Sequence, residues 1–306
     1  MRSPGYYWWA LRRDWRRGWR ASWAARRLAP RIWQWRAPDD RTEEIVPLHV
    51  LCGHEHAVLA AWMLASWHHY TGRRWRVIIH DDGTLGQEDI RQLTALSPSI
   101  RVLERAAADR EIAPQLASRP ACARYRSEHP LALKIFDVPL TTTAPRFLLI
   151  DTDVLFFSRP DSVLRWVDQP DDDSCWFNAD VAEAATITPG EMEKTFGCAL
   201  WPKVNSGLCL LPRRAIDLEL CERALRDTTL RRGPAWRFEQ TLFAIAASCH
   251  GRGGLLPPEY EVSLGAQAAP GCVARHYVGA VRDRFFGEGI WRLHQTLLSG
   301  RPARRG

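Results

Sequence analysis

Apolar runs with the character of buried strands alternate with helical segments from Leu48 to Phe157. The runs are HVLCG, WRVIIH, IRVLE and RFLLIDTDVLFF, and the segments between them are AVLAAWMLASWHHY, GQEDIRQLTAL and HPLALKIFDVPL. Strands that alternate with helices are typical of a mostly parallel sheet. The sequence therefore predicts an α/β fold with a mostly parallel central sheet flanked by helices. Ligands of such open sheets bind at the carboxyl ends of the strands.

The strongest of these strands covers residues 146–150 and ends in Asp151-Thr152-Asp153. Side chains two positions apart in an extended chain point the same way, so Asp151 and Asp153 can share one cation. Hard oxygen ligands suit Mg²⁺ or Mn²⁺, and such a cation suits a diphosphate. The alternative is a turn at the strand end that carries two solvated aspartates.

A third candidate ligand lies far downstream, where His276 follows a short apolar run and precedes Gly279. A lone histidine is more often structural or at the surface, but a histidine between a strand and a glycine turn is well placed to reach a site at the sheet edge. An imidazole among the ligands would favour Mn²⁺ over Mg²⁺. The sequence thus predicts that Asp151, Asp153 and His276 hold one of these two cations.

The stretch VIIHDDGTL places Asp81 and Asp82 at the end of the second strand. It is similar to the Asp-x-Asp-Gly-Thr motif of haloacid-dehalogenase phosphatases. However, His80 stands where those enzymes have the aspartate nucleophile, and an imidazole cannot form an aspartyl-phosphate. The sequence therefore argues against a phosphatase. The nearby GHEH (residues 53–56) lacks the histidine spacing of H-E-x-x-H zinc sites, so a loop beside a ligand is the better interpretation.

Four sequence blocks follow one another in the order FLLIDTDVLFFSRPDSVL, VNSGLCLLPR, FEQTLFAIAA and HYVGAVR. This ordered set resembles the GT-A glycosyltransferases, especially the glycogenin and galactosyltransferase relatives of glycosyltransferase family eight. The resemblance covers roughly residues 46–286, and the ordered combination is much more specific than any single block. It implies a GT-A fold, which is Rossmann-like.

The resemblance also implies a role for each matching residue. In that family, two aspartates and a histidine hold a divalent cation on the diphosphate of a sugar nucleotide. Carried over to this sequence, the site comprises Asp151, Asp153 and His276 as metal ligands, Asn205 in the sugar pocket, Glu239 and Gln240 beside the reacting carbon, and Lys134 and Arg282 as cations for the diphosphate. Arg282 replaces the lysine of the family and can still bind phosphate. The Pro-Trp that follows in the family is replaced by Asp283-Arg284.

Three further acidic residues have open alternatives. The end of the second strand borders the nucleotide in GT-A folds, so Asp82, and Asp81 beside it, are candidates for hydrogen bonds to the base or ribose. Alternatively, residues 82–84 only turn the chain and cap the next helix. Asp180 faces the acceptor or simply follows a strand. An inverting enzyme would need a general base on the acceptor, for which Asp180 and Glu239 are the candidates.

The predicted activity is metal-dependent transfer of a sugar from a nucleoside-diphosphate sugar, a UDP-linked one, to an unknown acceptor. Similarity to family eight implies retention at the anomeric carbon. A sugar nucleotidyltransferase is one alternative, but it should open with a glycine-rich phosphate loop after its first strand, and LCGHEH is not one. A catalytically degenerate GT-A domain that serves as a membrane-associated binding module is the other.

Residues 1–41 form a basic, tryptophan-rich segment. They carry eleven Arg and three Asp, a net charge of +8, whereas the whole chain carries +7. At 100° per residue, one helical face holds Trp8, Leu11, Trp15, Trp19 and Trp23. Such a helix can bind an anionic membrane surface, pack on the catalytic domain or bind nucleic acid. Nucleic acid is disfavoured because the rest of the chain is slightly acidic.

The chain is divided into a basic segment with a linker (residues 1–44), a catalytic domain (45–300) and a basic tail (301–306). No apolar run reaches 18 residues, and arginines interrupt every possible signal-peptide core near the amino terminus. The eight cysteines form no C-x-x-C pair, which favours buried free thiols in a reducing compartment over disulfides or a zinc site. We therefore expect a cytoplasmic protein that binds peripherally to the inner face of the membrane.

Overall fold

A central sheet of ten strands organises the protein, with helices packed on both faces. The computed structural model describes residues 18–38, 43–228, 230 and 235–298. The strands are β1 (Glu43–Cys52), β2 (Arg74–Asp81), β3 (Ile100–Leu103), β4 (Arg146–Ile150), β5 (Val154–Phe156), β6 (Cys175–Ala179), β7 (Val204–Pro212), β8 (Gly253–Leu255), β9 (Tyr260–Val262) and β10 (Ala274–His276).

The α-helices vary from one turn to more than four turns. They are α1 (Trp19–Trp23), α2 (Ala57–Thr71), α3 (Gln87–Thr94), α4 (Arg105–Leu116), α5 (Pro120–Glu128), α6 (Ala132–Thr141), α7 (Asp161–Asp168), α8 (Pro189–Phe196), α9 (Leu218–Arg226), α10 (Ala235–His250), α11 (Arg282–Arg284) and α12 (Trp291–Leu298). Short 3₁₀ turns cover Ala29–Gln34, His54–His56, Arg213–Ala215 and Gly279–Val281, and π-helical turns cover Ala24–Leu28 and Phe285–Ile290.

The strand order is β3-β2-β1-β4-β7-β6-β9-β10-β5, with β8 beside β6. Strands β1 to β4 pair in parallel, as do β6, β8, β9 and β10, whereas β7 and β5 run antiparallel to their neighbours. The predicted α/β fold with a mostly parallel sheet is therefore confirmed. The run RFLLIDTDVLFF is two strands rather than one, because the chain turns at Asp151, whose carbonyl accepts from the Val154 amide at 3.2 Å.

Two apolar cores lie on the two faces of the sheet. One contains α2 and α12 and includes the fully buried Trp62 and Trp67. The other contains α4, α5, α6, α9 and α10, with Phe136 and Phe243 at its centre. The sheet is thus covered on both faces, and the carboxyl ends of β1, β2 and β4 remain open to a pocket.

The described part of the amino-terminal segment, residues 18–38, packs on the first core. Ala24, Leu28 and Ile32 are buried there, and the Trp62 indole donates to the Ala29 carbonyl at 3.0 Å. The tryptophan face points the other way: Trp19 is 77% exposed and Trp23 46%. The same segment therefore both packs on the domain and exposes Trp19, while the half-exposed Trp23 ring lies 5.6 Å from the Trp291 ring. The rest of the predicted stripe, and the tail over residues 301–306, lie outside the described residues.

No helix in the described part of the chain has both the length and the apolar character needed to cross a bilayer.

The prediction that all cysteines are free thiols is wrong for one pair. Cys198 and Cys249 form a disulfide, with their Cα atoms 5.6 Å apart. The loop after α8 meets the last turn of α10, where the Trp201 amide donates to the Ser248 hydroxyl at 2.9 Å. Because 51 residues separate the two cysteines, only the folded chain brings them together. The other six cysteines are free and buried, as expected.

Candidate active site

Asp151, Asp153 and His276 meet at one end of the sheet. Asp151 follows the last residue of β4 and Asp153 precedes β5, and the antiparallel register of β10 on β5 places His276 opposite Val154. The His276 Nε2 atom lies 3.1 Å from Asp153 Oδ1 and 3.8 Å from Asp151 Oδ2. One potential ligand atom from each of the three residues lies within 4.8 Å of the others. No other such cluster was found among the described residues.

The charges of this cluster depend on each other. Burial alone favours a neutral Asp153, but the nearby His276 and Arg282 outweigh it and lower the pKa of Asp153 to about 2. Burial likewise favours a neutral His276, but Asp153 and Asp151 raise the pKa of its imidazole. The Arg282 Nε atom donates to Asp153 Oδ2 at 3.0 Å. Asp153 is thus an anionic carboxylate held between the His276 imidazole and the Arg282 guanidinium.

Asn205 on β7 fixes the orientation of the histidine ring. Its Oδ1 atom accepts from the Gly207 amide at 3.0 Å and lies 2.9 Å from His276 Nδ1. This acceptor assigns the proton to Nδ1, so that Nε2 faces the aspartates as a ligand atom. The Asn205 Nδ2 atom donates to Asp180 Oδ2 at 2.8 Å. Asn205 therefore links the cluster of Asp151, Asp153 and His276 to the polar group of Asp180 and Gln240.

Asp180 and Gln240 form that group with Asn205. The Gln240 Nε2 atom donates to Asp180 Oδ2 at 2.9 Å and to the Val204 carbonyl at 2.7 Å. The other oxygen of Asp180 accepts from the Val181 amide at 2.7 Å. Two amide side chains thus hold one carboxylate beside the pocket, an arrangement that suits recognition of sugar hydroxyls.

Lys134 lies beneath the cluster and is fully buried. Its Nζ atom lies 2.9 Å from Asp151 Oδ1 and 3.0 Å from Glu239 Oε1. Burial lowers the pKa of the ammonium, but Asp151 and Glu239 outweigh that effect and raise it. Burial raises the pKa of Glu239. Ser206 completes the group, since its hydroxyl donates to Glu239 Oε2 at 3.0 Å and lies 3.1 Å from Lys134 Nζ.

Asp81 and Asp82 have different surroundings. Asp81 Oδ1 accepts from the amides of Gly83 and Leu85 at 2.8 and 3.1 Å, so its carboxylate shapes its own loop. Asp82 accepts from Thr84 and also lines the pocket beside Gly53. A Cβ atom at Gly53 would lie 2.2 Å from Asp82 Oδ2, so only glycine leaves room for this carboxylate. Asp82 therefore both turns the chain and faces the pocket.

A single pocket of about 610 Å³ contains every residue that the sequence assigned to the site except Asp81. These residues are Asp82, Lys134, Asp151, Asp153, Asp180, Asn205, Glu239, Gln240, His276 and Arg282. The pocket also has apolar wall residues, among them Leu131, Val181 and Val278. Its volume suits a nucleotide-sized ligand.

Neither a protein-family model nor a curated protein matches the chain in sequence. Solved structures do match it in fold. Mouse xyloside xylosyltransferase 1 in its apo form has a TM-score of 0.54 and 11% identity, over 78% of this chain and 99% of that one. The galactosyltransferase LgtC in complex with donor and acceptor sugar analogues has a TM-score of 0.54 and 13% identity, over 82% of this chain and 96% of that one.

The WbbM bifunctional glycosyltransferase has a TM-score of 0.53 and 12% identity, over 79% of this chain. The match covers 47% of WbbM, so the chain spans about half of that larger protein. The chain has the GT-A fold. The resemblance to GT-A glycosyltransferases read from the sequence blocks is thereby confirmed at the level of the fold, and membership of family eight stays a prediction.

The GT-A domain also contains residues that the sequence did not single out. Ser206 joins Lys134 and Glu239, and Gly207 lies against the His276 ring. Both lie in the VNSG block, and successive residues of a strand face opposite sides, so Ser206 faces Lys134 while its neighbours face His276. This alternation along the strand was the sequence feature that could have identified Ser206 and Gly207 as site residues. Gly53 lies in the loop over residues 53–56 that the sequence placed beside a ligand, whereas no sequence signal marked the apolar wall, because loop packing positions it.

Proposed function

We propose that the GT-A domain is a nucleotide-sugar-dependent glycosyltransferase that moves a sugar from a UDP-linked donor to an acceptor not yet identified. The observation that carries this proposal is the shared pocket: the Asp151, Asp153 and His276 cluster opens into the same space as Asp180 and Gln240. The cluster of Asp151, Asp153 and His276 can bind a diphosphate through a cation, and Asp180 and Gln240 can hydrogen-bond a sugar.

A divalent cation, Mn²⁺ or Mg²⁺, is the proposed cofactor. Two carboxylates and one imidazole within 4.8 Å of each other fit such an ion, and the imidazole favours Mn²⁺. When bound, the cation would supply Lewis-acid neutralisation of the charge on the leaving diphosphate. Asn205 keeps the His276 ring oriented for binding, because it holds the Nδ1 proton.

The two cations near the cluster have different proposed roles. Arg282 is 42% exposed and lies at the pocket wall, so its guanidinium can turn from Asp153 to a phosphate oxygen. Lys134 is buried and already contacts Asp151 and Glu239, so we assign it to positioning Asp151 rather than to direct binding. This changes the role that the sequence resemblance implied for Lys134.

Retention at the anomeric carbon is part of the proposal. Both oxygens of Glu239 are already occupied, one by Lys134 and one by Ser206. Both oxygens of Asp180 accept hydrogen bonds as well. These contacts engage both carboxylates within the protein and favour a positioning role over that of the general base of an inverting enzyme. The anomer first released when the enzyme hydrolyses a UDP-sugar, read by NMR, tests this point.

Thermal unfolding with UDP and a panel of UDP-sugars, with and without Mn²⁺, tests the proposed function. A ligand at one hundred times its Kd stabilises the protein by about 2.7 kcal/mol. We expect Mn²⁺-dependent stabilisation that EDTA removes and that Asp153→Ala abolishes. Asp171→Ala, which removes an exposed aspartate from the DDD run, is the matched control and should keep it.

Equal stabilisation of Asp153→Ala and the wild type would contradict the proposed cation site. Stabilisation without any hydrolysis or transfer of the sugar would instead favour the degenerate binding domain. Transfer of a nucleotidyl group to a sugar phosphate would favour the nucleotidyltransferase.

A further inference from the structure

A second groove lies behind one wall of the pocket. It has a volume of about 780 Å³ and runs between α1, the loop over residues 266–268 and the chain over residues 280–292. We call it the Arg284 groove. Ala280 lines both the groove and the pocket, so the two spaces share a wall.

Three arginines give the Arg284 groove a positive surface. They are Arg20, Arg284 and Arg292, and none of them forms an ion pair within the described residues. Two acidic residues, Asp283 and Glu288, also line the groove. Glu288 accepts from the Tyr277 hydroxyl and lies 3.5 Å from the buried Arg275. The three arginines therefore outnumber the two acidic residues of the lining. The surface that remains is suited to an anion.

Arg284 carries the strongest evidence for a ligand. Its Nη1 atom is buried and has no hydrogen-bond partner among the described residues. A buried guanidinium nitrogen without an acceptor costs free energy, because the water that it loses is not replaced. A phosphate oxygen would supply the missing acceptor and would suit a guanidinium better than a neutral group.

Aromatic rings lie beside these cations. Trp19 is 77% exposed at the groove, and Trp291 lies under the Arg20 guanidinium at 4.8 Å. The Arg292 guanidinium lies 4.2 Å from the centre of the Phe157 ring. A cation next to an exposed indole such as that of Trp19 is typical of surfaces that meet lipid headgroups, where the charge binds phosphate and the ring enters the interface. A free phosphate would make no contact with the apolar face of the Trp19 ring.

We propose that the Arg284 groove binds the phosphate headgroup of an anionic lipid, with Arg284 and Arg292 on the phosphate and Trp19 against the apolar part of the lipid. This inference rests on the proposed function and deepens it, since a lipid held behind the Ala280 wall sets the transfer pocket beside a membrane. The acceptor is then a molecule at that surface. The short α11 separates the two roles, because Arg282 contacts Asp153 while Arg284 lines the groove.

The test uses the full chain and a short-chain phosphatidic acid, dihexanoyl phosphatidic acid, below its micelle concentration. A monomeric lipid avoids the non-specific attraction of a basic chain to a charged vesicle. Binding is measured by calorimetry for the wild type, Arg284→Gln, Arg292→Gln and the control Arg101→Gln. Arg101 is an exposed arginine on β3, at the opposite edge of the sheet. Inorganic phosphate is the second probe.

We expect saturable lipid binding that weakens about tenfold in Arg284→Gln, as for the loss of one charge-assisted hydrogen bond. Arg292→Gln should also weaken it, Arg101→Gln should not, and inorganic phosphate should bind much more weakly. No saturable binding, or equal binding by the wild type and both groove variants, would overturn the proposal. Inorganic phosphate that binds as tightly as the lipid would overturn the lipid assignment.

The same samples are tested for stabilisation by UDP with Mn²⁺. All variants should keep it, because none of the substituted residues lines the pocket. Lipid binding without nucleotide binding would refute the proposed function and leave the groove assignment intact. Nucleotide binding without lipid binding would refute the groove assignment and leave the proposed function intact. Unfolding curves show whether each variant is folded. If Arg284→Gln does not fold, the lipid affinity of Arg292→Gln still tests the proposal.

Discussion

Gly207 gives His276 its position in the site. A Cβ atom at residue 207 would lie 2.1 Å from His276 Nδ1, far inside van der Waals contact. The same glycine donates its amide to Asn205 Oδ1, which holds that nitrogen of the ring. The glycine of the VNSG block is therefore required by the close approach of a ligand side chain from a strand far away in the sequence.

Gly207→Ala should displace the His276 ring and weaken Mn²⁺ binding about 10- to 100-fold, the range seen when groups that orient metal ligands are lost. Mn²⁺ titration followed by UDP-dependent thermal stabilisation measures this. Gly190→Ala is the control, because nothing lies within 4 Å of a Cβ atom at that position. If Gly207→Ala and Gly190→Ala titrate alike, the His276 ring is not a ligand in this position.

Lys134 and Glu239 form a buried ion pair whose partners depend on each other. Lys134→Met should destabilise the protein by about 3–5 kcal/mol, because it leaves buried carboxylates without a cation. Lys134→Met with Glu239→Gln should recover part of the loss, because the second change removes one buried charge. Urea unfolding measures both. The control Lys194→Met, at an exposed lysine of α8, should have no comparable effect. If Lys134→Met is as stable as the wild type, the Lys134–Glu239 pair is not needed for folding.

The sequence predicted the part of the site that depends on local pattern. The strand before Asp151 and the fold class could be read from apolar runs, and the residues of the four blocks from their resemblance to the GT-A glycosyltransferases. The sequence could not show how Gly207 fits His276, how Ser206 joins Lys134 to Glu239, or that Cys198 meets Cys249. Each of these depends on the register of distant elements, which no local pattern contains.

The amino-terminal segment also shows what a local sequence pattern cannot predict. Periodicity correctly grouped Trp19 and Trp23 on one face of a helix, but it could not decide which face meets the domain. The tertiary structure uses the opposite face, where Ala24 and Leu28 are small or aliphatic enough to pack closely in the first core. The exposed tryptophans are thus the part of the segment that needs a functional explanation.

Asp81 and Asp82 should respond differently to the same substitution. Asp81→Ala should lower stability by about 2 kcal/mol or more, because the amides of Gly83 and Leu85 lose a charged acceptor. Asp82→Ala should change stability by less than about 1 kcal/mol and should weaken binding of UDP, since Asp82 lines the pocket. Chemical unfolding and UDP titration are run on both variants. Full UDP affinity in Asp82→Ala would leave Asp82 with the role of a turn residue only.

Two substitutions in the amino-terminal segment should separate packing from membrane binding. Leu28→Ala should destabilise the protein by about 2–5 kcal/mol, because it empties a buried site in the first core. Trp19→Ala should leave the unfolding temperature nearly unchanged, because Trp19 is 77% exposed. It should instead reduce sedimentation with anionic vesicles, since the indole no longer enters the headgroup layer.

A pair of shortened chains extends this test. A chain that begins at Gly18 measures how much residues 1–17 contribute to vesicle binding, whereas one that begins at Glu43 loses the buried Ala24, Leu28 and Ile32 and should unfold at a lower temperature than the full chain. High salt should weaken vesicle binding of the full chain, because it screens the arginines of the segment. Vesicle binding that is equally strong in Trp19→Ala, in the Gly18 chain and at high salt would show that the tryptophan face does not bind the membrane.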